Sequence, residues 1–243
     1  MPGERAVVEL LRADPRRIRR LHVLATRPSG EIEALAAAAK VAITRASADE
    51  LAMILAPELA RGVIAVATPP REHDVEDLIA LRPATPDRRR VLVALDGVQD
   101  PHNLGALIRS AEFFGVLGLF WARDRSAGLS PAVVRASAGA SERLPLAQVT
   151  NLARALATCK DSGYWILGTV PDGGSPLRTL VAQGLPDAVV VVLGGEERGL
   201  RRLTRENCDF LATIPGAGGV ASLNVSAAAA VTLSDVATGP TGP

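Results

Sequence analysis

The apolar positions change their rhythm part-way along the chain. Over residues 1–67 two periods alternate. "AVVELLRAD" has helical spacing, "LHVLAT" reads as a strand, "GEIEALAAAAK" as a helix and "GVIAVAT" as a buried strand. Helical spacing lines apolar side chains along one face, while a continuous apolar run suits a strand covered on both sides. These segments predict a small α/β unit. Over residues 68–90, "TPPREHDVEDLIALRPATPDRRR", prolines and charges take over. That texture predicts a linker with one short helical turn around "VEDLIAL". From Val91 the runs "VLVAL", "VLGLF", "YWILGTV" and "AVVVVLGG" are apolar throughout, and "NLGALIRSAEFF", "SPAVVRASAGA" and "NLARALATCKDSG" fall between them at helical spacing. Strands of that kind belong to a parallel sheet with helices on both faces. The second domain is therefore expected over residues 91–237, with a disordered tail at 238–243.

Composition narrows the function. Hydrophobic residues make up 48% of the chain, enough for a sizeable core, but aromatics only 3%, which argues against rows of Phe and Tyr that stack bases. The net charge is +1, so any grip on nucleic acid must come from local basic runs. Cys159 and Cys208 lie far apart and outside any metal-ligand or Cys-x-x-Cys spacing, as buried thiols of a reducing compartment do. There is no apolar run of about 18 residues, the length a membrane span needs. The start, "MPGERAVVELLRADPRR", breaks its apolar run with charge and lacks a clear cleavage site. A cytoplasmic protein is expected.

Three segments place polar or glycine residues after expected strands, where open parallel sheets bind ligands. The first is "LDGVQDPHNLGALIRSAEFFGV". Asn103 is suited to cap a helix there, and Gly105 and Arg109 share a helix face. The plain alternative is a capped helix with a surface arginine. The second is "VVVVLGGEERGLRRLTRE", where Gly194 and Gly195 lead to Glu196. Its Glu197 and Arg198 read as solvated charges, and the basic stretch after them suits either phosphates or a solvated helix face. The third is "IPGAGGVASLNVSAAAAV", where Ser222 and Asn224 flank Leu223 at a helix start. "GAGGVA" passes the Gly-x-Gly-x-x-Gly/Ala pattern of dinucleotide sites. After its helix, however, only "SDVATGPTGP" follows, without the second strand or the acid about 20 residues on that such a site requires.

In order and spacing these segments resemble the three motifs of the SpoU (TrmH-type) RNA ribose 2′-O-methyltransferases of the SPOUT superfamily. "DRSAGLSPAVVRASAGASERLPL" and "VTNLARAL" resemble the stretches between motifs. Residues 1–67 more faintly resemble the ribosomal-protein-like RNA-binding domain in front of the bacterial enzymes that methylate a guanosine of 23S ribosomal RNA, through "RAVVELL", "LHVLAT" and "RGVIAVAT". The chain departs from that group at Ala60-Arg61-Gly62, where the group has His-Gln-Gly, and at Pro2-Gly3-Glu4-Arg5, where it has Tyr-Gly-x-His.

The resemblance implies an α/β fold whose C-terminal segment threads a deep trefoil knot, an exception to the rule that chains avoid knots. It also implies a homodimer. S-adenosylmethionine would be the methyl donor, cradled by the backbone of Gly194, Gly195, Ile214 and Leu223, with no metal. Arg109 matches the catalytic arginine. A guanidinium stays protonated, so its expected role is to hold a phosphate and stabilise a developing alkoxide. Asn103, Glu196, Ser222 and Asn224 match the other polar positions, Asn103 and Asn224 to orient Arg109 or the ribose, Glu196 to fix Arg109 or the cofactor. His102, beside them, is not a position the resemblance depends on. RNA would be held by Arg16, Arg17, Arg19, Arg20, by Arg88, Arg89, Arg90 and by residues 198–205, with an affinity that falls steeply with salt. The expected substrate is a guanosine of 23S ribosomal RNA. Alternatives are transfer RNA, a resistance-type methylation of ribosomal RNA, or a non-catalytic RNA-binding assembly factor.

Overall fold

A computed structural model describes residues 1–59, 62–196 and 198–239. Ala60, Arg61, Glu197 and residues 240–243, which include most of the expected tail, lie outside the described residues. The chain forms two compact units, Met1–Arg71 with Leu129–Arg143, and Glu72–Gly128 with Leu144–Pro243.

The first unit begins with α1 (Glu4–Ala13), β1 (Ile18–Leu24), α2 (Gly30–Ala38), β2 (Ile43–Ala46), α3 (Ala48–Ile54) and β3 (Val63–Ala67). Its sheet runs β2-β1-β3, with β1 parallel to β2 and antiparallel to β3. Strand alternation sends Leu21, Val23, Val63 and Ala65 to one face, where Val7, Leu10, Leu11, Ile32 and Ala36 of α1 and α2 cover them. Ile64 points the other way, to Ala46 and Leu51 of α3. β2 and α3 are not among the elements expected from the sequence. β2 is four residues long and exposes Thr44 and Arg45, so it gives no apolar run. A signal for α3 was present: Ser47 and Glu50 form a capping box, each side chain accepting the other's backbone N–H, at 3.2 and 2.7 Å.

The second unit continues with α4 (Val75–Ala80), β4 (Arg90–Asp96), α5 (Pro101–Phe113) and β5 (Gly118–Ala122). Next comes α6 (Pro131–Ala136), which belongs to the first unit. In that unit the buried Glu142 carboxylate accepts from Arg17 at 2.5 Å, so the segment after α6 is held by an ion pair as well as by apolar packing. The chain then forms β6 (Leu146–Val149), α7 (Leu152–Asp161), β7 (Trp165–Thr169), β8 (Ser175–Pro176), α8 (Leu177–Ala182), β9 (Ala188–Gly194), α9 (Arg202–Glu206), β10 (Phe210–Thr213) and α10 (Val225–Thr238). The seven strands lie in the order β6-β5-β4-β9-β7-β10-β8, and every neighbouring pair is parallel. Val189, Val190, Val191 and Val192 of β9 are fully buried, as expected of a central strand covered on both faces.

The helices follow the spacing that makes one apolar stripe. In α7 Leu152, Ala155, Leu156 and Cys159 are buried, and in α5 Leu104, Leu107, Ile108 and Ala111. The stretch read as a linker contributes to this core. In α4, Val75 and Leu78 pack with Phe120, Leu152 and Leu156, and Asp74 caps the helix by accepting the Asp77 N–H at 2.8 Å. Thr238, expected in the tail, closes α10. The sheet order matters for the site. The strands preceding the three motifs, β4, β9 and β10, are far apart in sequence, yet β4 and β9 are direct neighbours and only β7 separates β9 from β10.

Candidate active site

Each polar segment leaves the C-terminal end of its strand, and one side chain joins all three. The expected N-cap of α5 was Asn103. The structure gives that position to Asp100, whose carboxylate accepts the His102 N–H at 2.9 Å, with Pro101 opening the helix. Proline suits the first helical position because its missing N–H would find no partner there. With the cap supplied upstream, the Asn103 side chain is free to reach outward. Its amide nitrogen donates to the Glu196 carboxylate, and its amide oxygen accepts from Asn224 Nδ2 at 3.1 Å. Asn224 caps α10, its Oδ1 accepting the Ser226 N–H at 2.9 Å and the Ser226 hydroxyl at 2.6 Å. A directional chain of donors thus runs from Ser226 through Asn224 and Asn103 to Glu196. Two helix N-termini, of α5 and α10, lie at this network, and their partial positive ends suit the Glu196 charge.

Arg109 stands apart from the network. It is exposed on α5 and has no hydrogen-bond or ion-pair partner among the described residues. Helical geometry explains the separation: six residues carry Arg109 about 120° around and about 9 Å along the helix from Asn103. Among the described residues no bond links Asn103, Asn224 or Glu196 to Arg109, and the three polar groups hold one another. The apolar neighbours of Arg109 in sequence do not bury it, because they turn to the other side of α5.

The glycines differ in what requires them. A Cβ at Gly194 would sit 2.2 Å from the Gly199 backbone, and one at Gly195 would sit 2.3 Å from the Gly97 carbonyl oxygen. Packing of the loop on itself demands Gly194, and packing against the turn after β4 demands Gly195, a different reason from the expected close approach of an adenosine. Around Gly216, Gly218 and Gly219 an added Cβ would meet nothing within 4 Å. Ser222 is exposed, Ile214 half-buried, and Val220 and Leu223 are 85% and 52% exposed. The segment offers open main chain and uncovered apolar side chains, a surface that fits a flat, partly apolar ligand such as an adenosine.

One further residue was not singled out from the sequence. Asp96 ends β4 with a fully buried side chain that accepts the Arg201 N–H at 2.7 Å. The signal was a carboxylate directly after "VLVAL". The basic runs also sort themselves. Arg16, Arg19, Arg20, Arg88, Arg198 and Arg205 are exposed. Arg17 is taken by Glu142, and Arg202 pairs with Glu206 at 2.6 Å. Arg90 lies over the Tyr164 ring. Buried Arg89 donates to the carbonyls of Leu185, Pro186 and Val236, which ties down the end of α10 and removes it from any RNA surface.

The chain is an α/β protein with a seven-stranded parallel sheet, and its candidate site lies at the C-terminal strand ends. Its family follows from comparison with known proteins. The model of the SpoU rRNA Methylase family matches residues 90–234, and the chain belongs to that family. It is 39% identical over 240 residues to the 23S rRNA (guanosine-2′-O-)-methyltransferase RlmB of Pseudomonas aeruginosa, covering 96% of this chain and 94% of that one. To the RlmB of Yersinia pestis it is 40% identical, over 96% and 94% of the two chains. Among solved structures, the SpoU methyltransferase AviRb from Streptomyces viridochromogenes, in complex with its cofactor AdoMet, superposes with a TM-score of 0.79 at 25% identity, over 98% of this chain and 88% of that one. A putative RNA methyltransferase of the TrmH family from Porphyromonas gingivalis gives 0.74 at 27% identity, over 97% and 87%.

Proposed function

We propose that this chain transfers a methyl group from S-adenosylmethionine to the ribose 2′-oxygen of a guanosine in 23S ribosomal RNA. Membership of the SpoU rRNA Methylase family and near full-length similarity to RlmB support the reaction and the substrate. One structural observation carries the site: Asn103 bonds both Glu196 and Asn224, drawing the three motif segments together at one end of the sheet.

S-adenosylmethionine, when bound, supplies a methyl group already activated on a sulfonium. The backbone of Gly194, Gly195, Ile214 and Leu223 would hold it, with Val220 and Leu223 offering apolar cover. The protein's task is then alignment and stabilisation of charge. Arg109, exposed and without a bonded partner among the described residues, would hold a phosphate next to the target ribose and steady negative charge growing on the 2′-oxygen. Asn103, Glu196, Ser222 and Asn224 fix the ribose and the pocket wall. No group of three or more His, Cys, Asp or Glu side chains among the described residues is arranged to hold a metal.

The same reading assigns RNA binding to residues 1–67, with exposed Arg16, Arg19 and Arg20 meeting phosphates. Residues 68–90 join that domain to the methyltransferase domain at 91–237. The last helix, α10, packs against α5 and β9, which supports a C-terminal segment threaded as a trefoil knot. Phe113 on α5 and Val231 on α10 leave apolar side chains exposed on two helices that pack together, and a second copy of the chain is the partner we assign to them. The protein works in the cytoplasm, and among the described residues no helix is long and apolar enough to cross a membrane.

The test is a ribose-methylation map of ribosomal and transfer RNA from cells with and without the chain. Loss of one guanosine 2′-O-methyl group in 23S ribosomal RNA is expected. An unchanged ribosomal map would refute the assignment, and a loss confined to transfer RNA would move it to the other substrate. Sedimentation of the purified protein should give twice the monomer mass; a monomer would remove the dimer from this account.

A further inference from the structure

We propose that Asp96 and Arg201 form a clasp that sets the position of the loop at residues 194–201, and through it Glu196; the inference rests on the site reading above. Asp96 bonds the loop at both ends. Its carbonyl accepts the Gly195 N–H at 2.9 Å, at the point where β9 runs out. Its carboxylate accepts the Arg201 N–H at 2.7 Å, where the loop returns. Within the loop the Gly199 N–H donates to the Gly195 carbonyl at 2.9 Å, and the glycines leave no room for slack. Among the described residues of the loop, Glu196 is the one whose side chain meets Asn103.

The charge state of the clasp argues for a role beyond packing. The Asp96 side chain is 0% exposed, and among the described residues its Oδ1 has no hydrogen-bond partner. The nearest compensation is Arg201 Nε at 3.5 Å, from a guanidinium that lies over Gly97, which has φ +80°. A buried carboxylate is costly, and what offsets the cost here is its bond to the returning Arg201 N–H and the nearby Arg201 guanidinium. An apolar residue could not hold a returning backbone N–H at a fixed place. The clasp therefore acts as a positioning device: its bonds are to the loop, and the loop carries the carboxylate that joins the Asn103 network. Arg201, within a run read from the sequence as suited to RNA, is engaged inward.

Arg201→Ala, Arg201→Lys and Asp96→Asn in the full-length protein test the clasp. Arg201→Ala keeps the backbone bond and removes an only half-exposed side chain, so the protein should stay folded. Its kcat/KM for methyl transfer should fall about 10²-fold, the scale of a small misplacement in an active site. Arg201→Lys should recover part of that loss. Asp96→Asn keeps an acceptor for the Arg201 N–H but loses the charge, and should resemble Arg201→Ala. A merely structural clasp would lower the melting temperature and leave kcat and KM unchanged wherever the protein is folded, and that result overturns the proposal. Glu196→Gln and Arg109→Ala in the same assay separate two failures. If both lose activity while folded Arg201→Ala matches the wild type, the clasp alone is wrong. If both are fully active, the site reading is wrong and the clasp falls with it.

Discussion

The loop at residues 194–199 and the segment at residues 214–224 both carry glycine, and for different physical reasons. In the first, Gly194 and Gly195 sit against backbone atoms of Gly199 and Gly97, closer than any Cβ allows. In the second, Gly216, Gly218 and Gly219 have open space around them, and the residues from Pro215 to Asn224 are exposed. Glycine loses more backbone freedom on folding than any other residue, so its use where packing does not demand it calls for another reason. The first loop is a fixed wall, closed by its own hydrogen bonds and by Asp96. The second is main chain left accessible, the form a site takes when the ligand itself supplies the missing contacts. In the proposed site the two segments would form one fixed wall and one open wall, with the cofactor between them.

Substitutions can break or sharpen this contrast. The largest effect is expected at the fixed wall. Gly195→Ala forces a Cβ into the Gly97 carbonyl, so stability should drop by about 1–3 kcal/mol, the range for overpacking, and methyl transfer should be lost. Equal stability and activity in that variant would mean the wall yields. Asn103→Ala should cut methyl transfer about 10²-fold, because it unlinks the three motif segments, while stability changes by about 1 kcal/mol or less for bonds made near the surface. Denaturant titration alongside the activity assay reads both. Gly218→Ala should leave the unliganded protein as stable or slightly more so, by about 0.4–1 kcal/mol, since it only restricts the unfolded chain. Its S-adenosylmethionine affinity should nonetheless fall severalfold in calorimetry. Unchanged affinity would make the glycines of the open wall simple spacers.

The smallest effect concerns the packed interior behind the fixed wall. Burial pushes the Cys159 thiol up to about 12 and the Cys208 thiol up to about 11, from 9.0. Both shifts are upward, so the folded state keeps protons that the unfolded state loses. Their contribution to stability is complete below about pH 9 and disappears as pH rises towards 11–12. Denaturant midpoints should decline across that window, and less so for Cys159→Ala than for the parent.

Much of the architecture was legible from the sequence because parallel strands buried on both faces announce themselves. "VLVAL" and "AVVVVLGG" became the adjacent β4 and β9, and "NLARALATCKDSG" became α7. Short, half-exposed elements escaped: β2 shows Thr44 and Arg45 to solvent, and β8 is two residues long. In the charged stretch over residues 68–90, α4 was legible only as a short helical turn around "VEDLIAL", since Val75 and Leu78 are its buried residues. At the site, residue identities were readable and their connections were not. Asn103 had the chemistry of a helix cap, and only the structure shows Asp100 taking that task and freeing the amide to join Glu196 to Asn224. The Asp96–Arg201 contact spans 105 positions in sequence, and no local pattern reports a contact of that range.

The most direct test of the account is methyl transfer by the purified chain from tritium-labelled S-adenosylmethionine to unmodified 23S ribosomal RNA, with the labelled nucleotide mapped and Arg109→Ala run in parallel. The account predicts label on the 2′-oxygen of one guanosine, and a rate for folded, cofactor-binding Arg109→Ala lower by about 10²–10³-fold, as when a transition-state donor is removed. Label on a base, no label despite bound cofactor, or a fully active Arg109→Ala would contradict it.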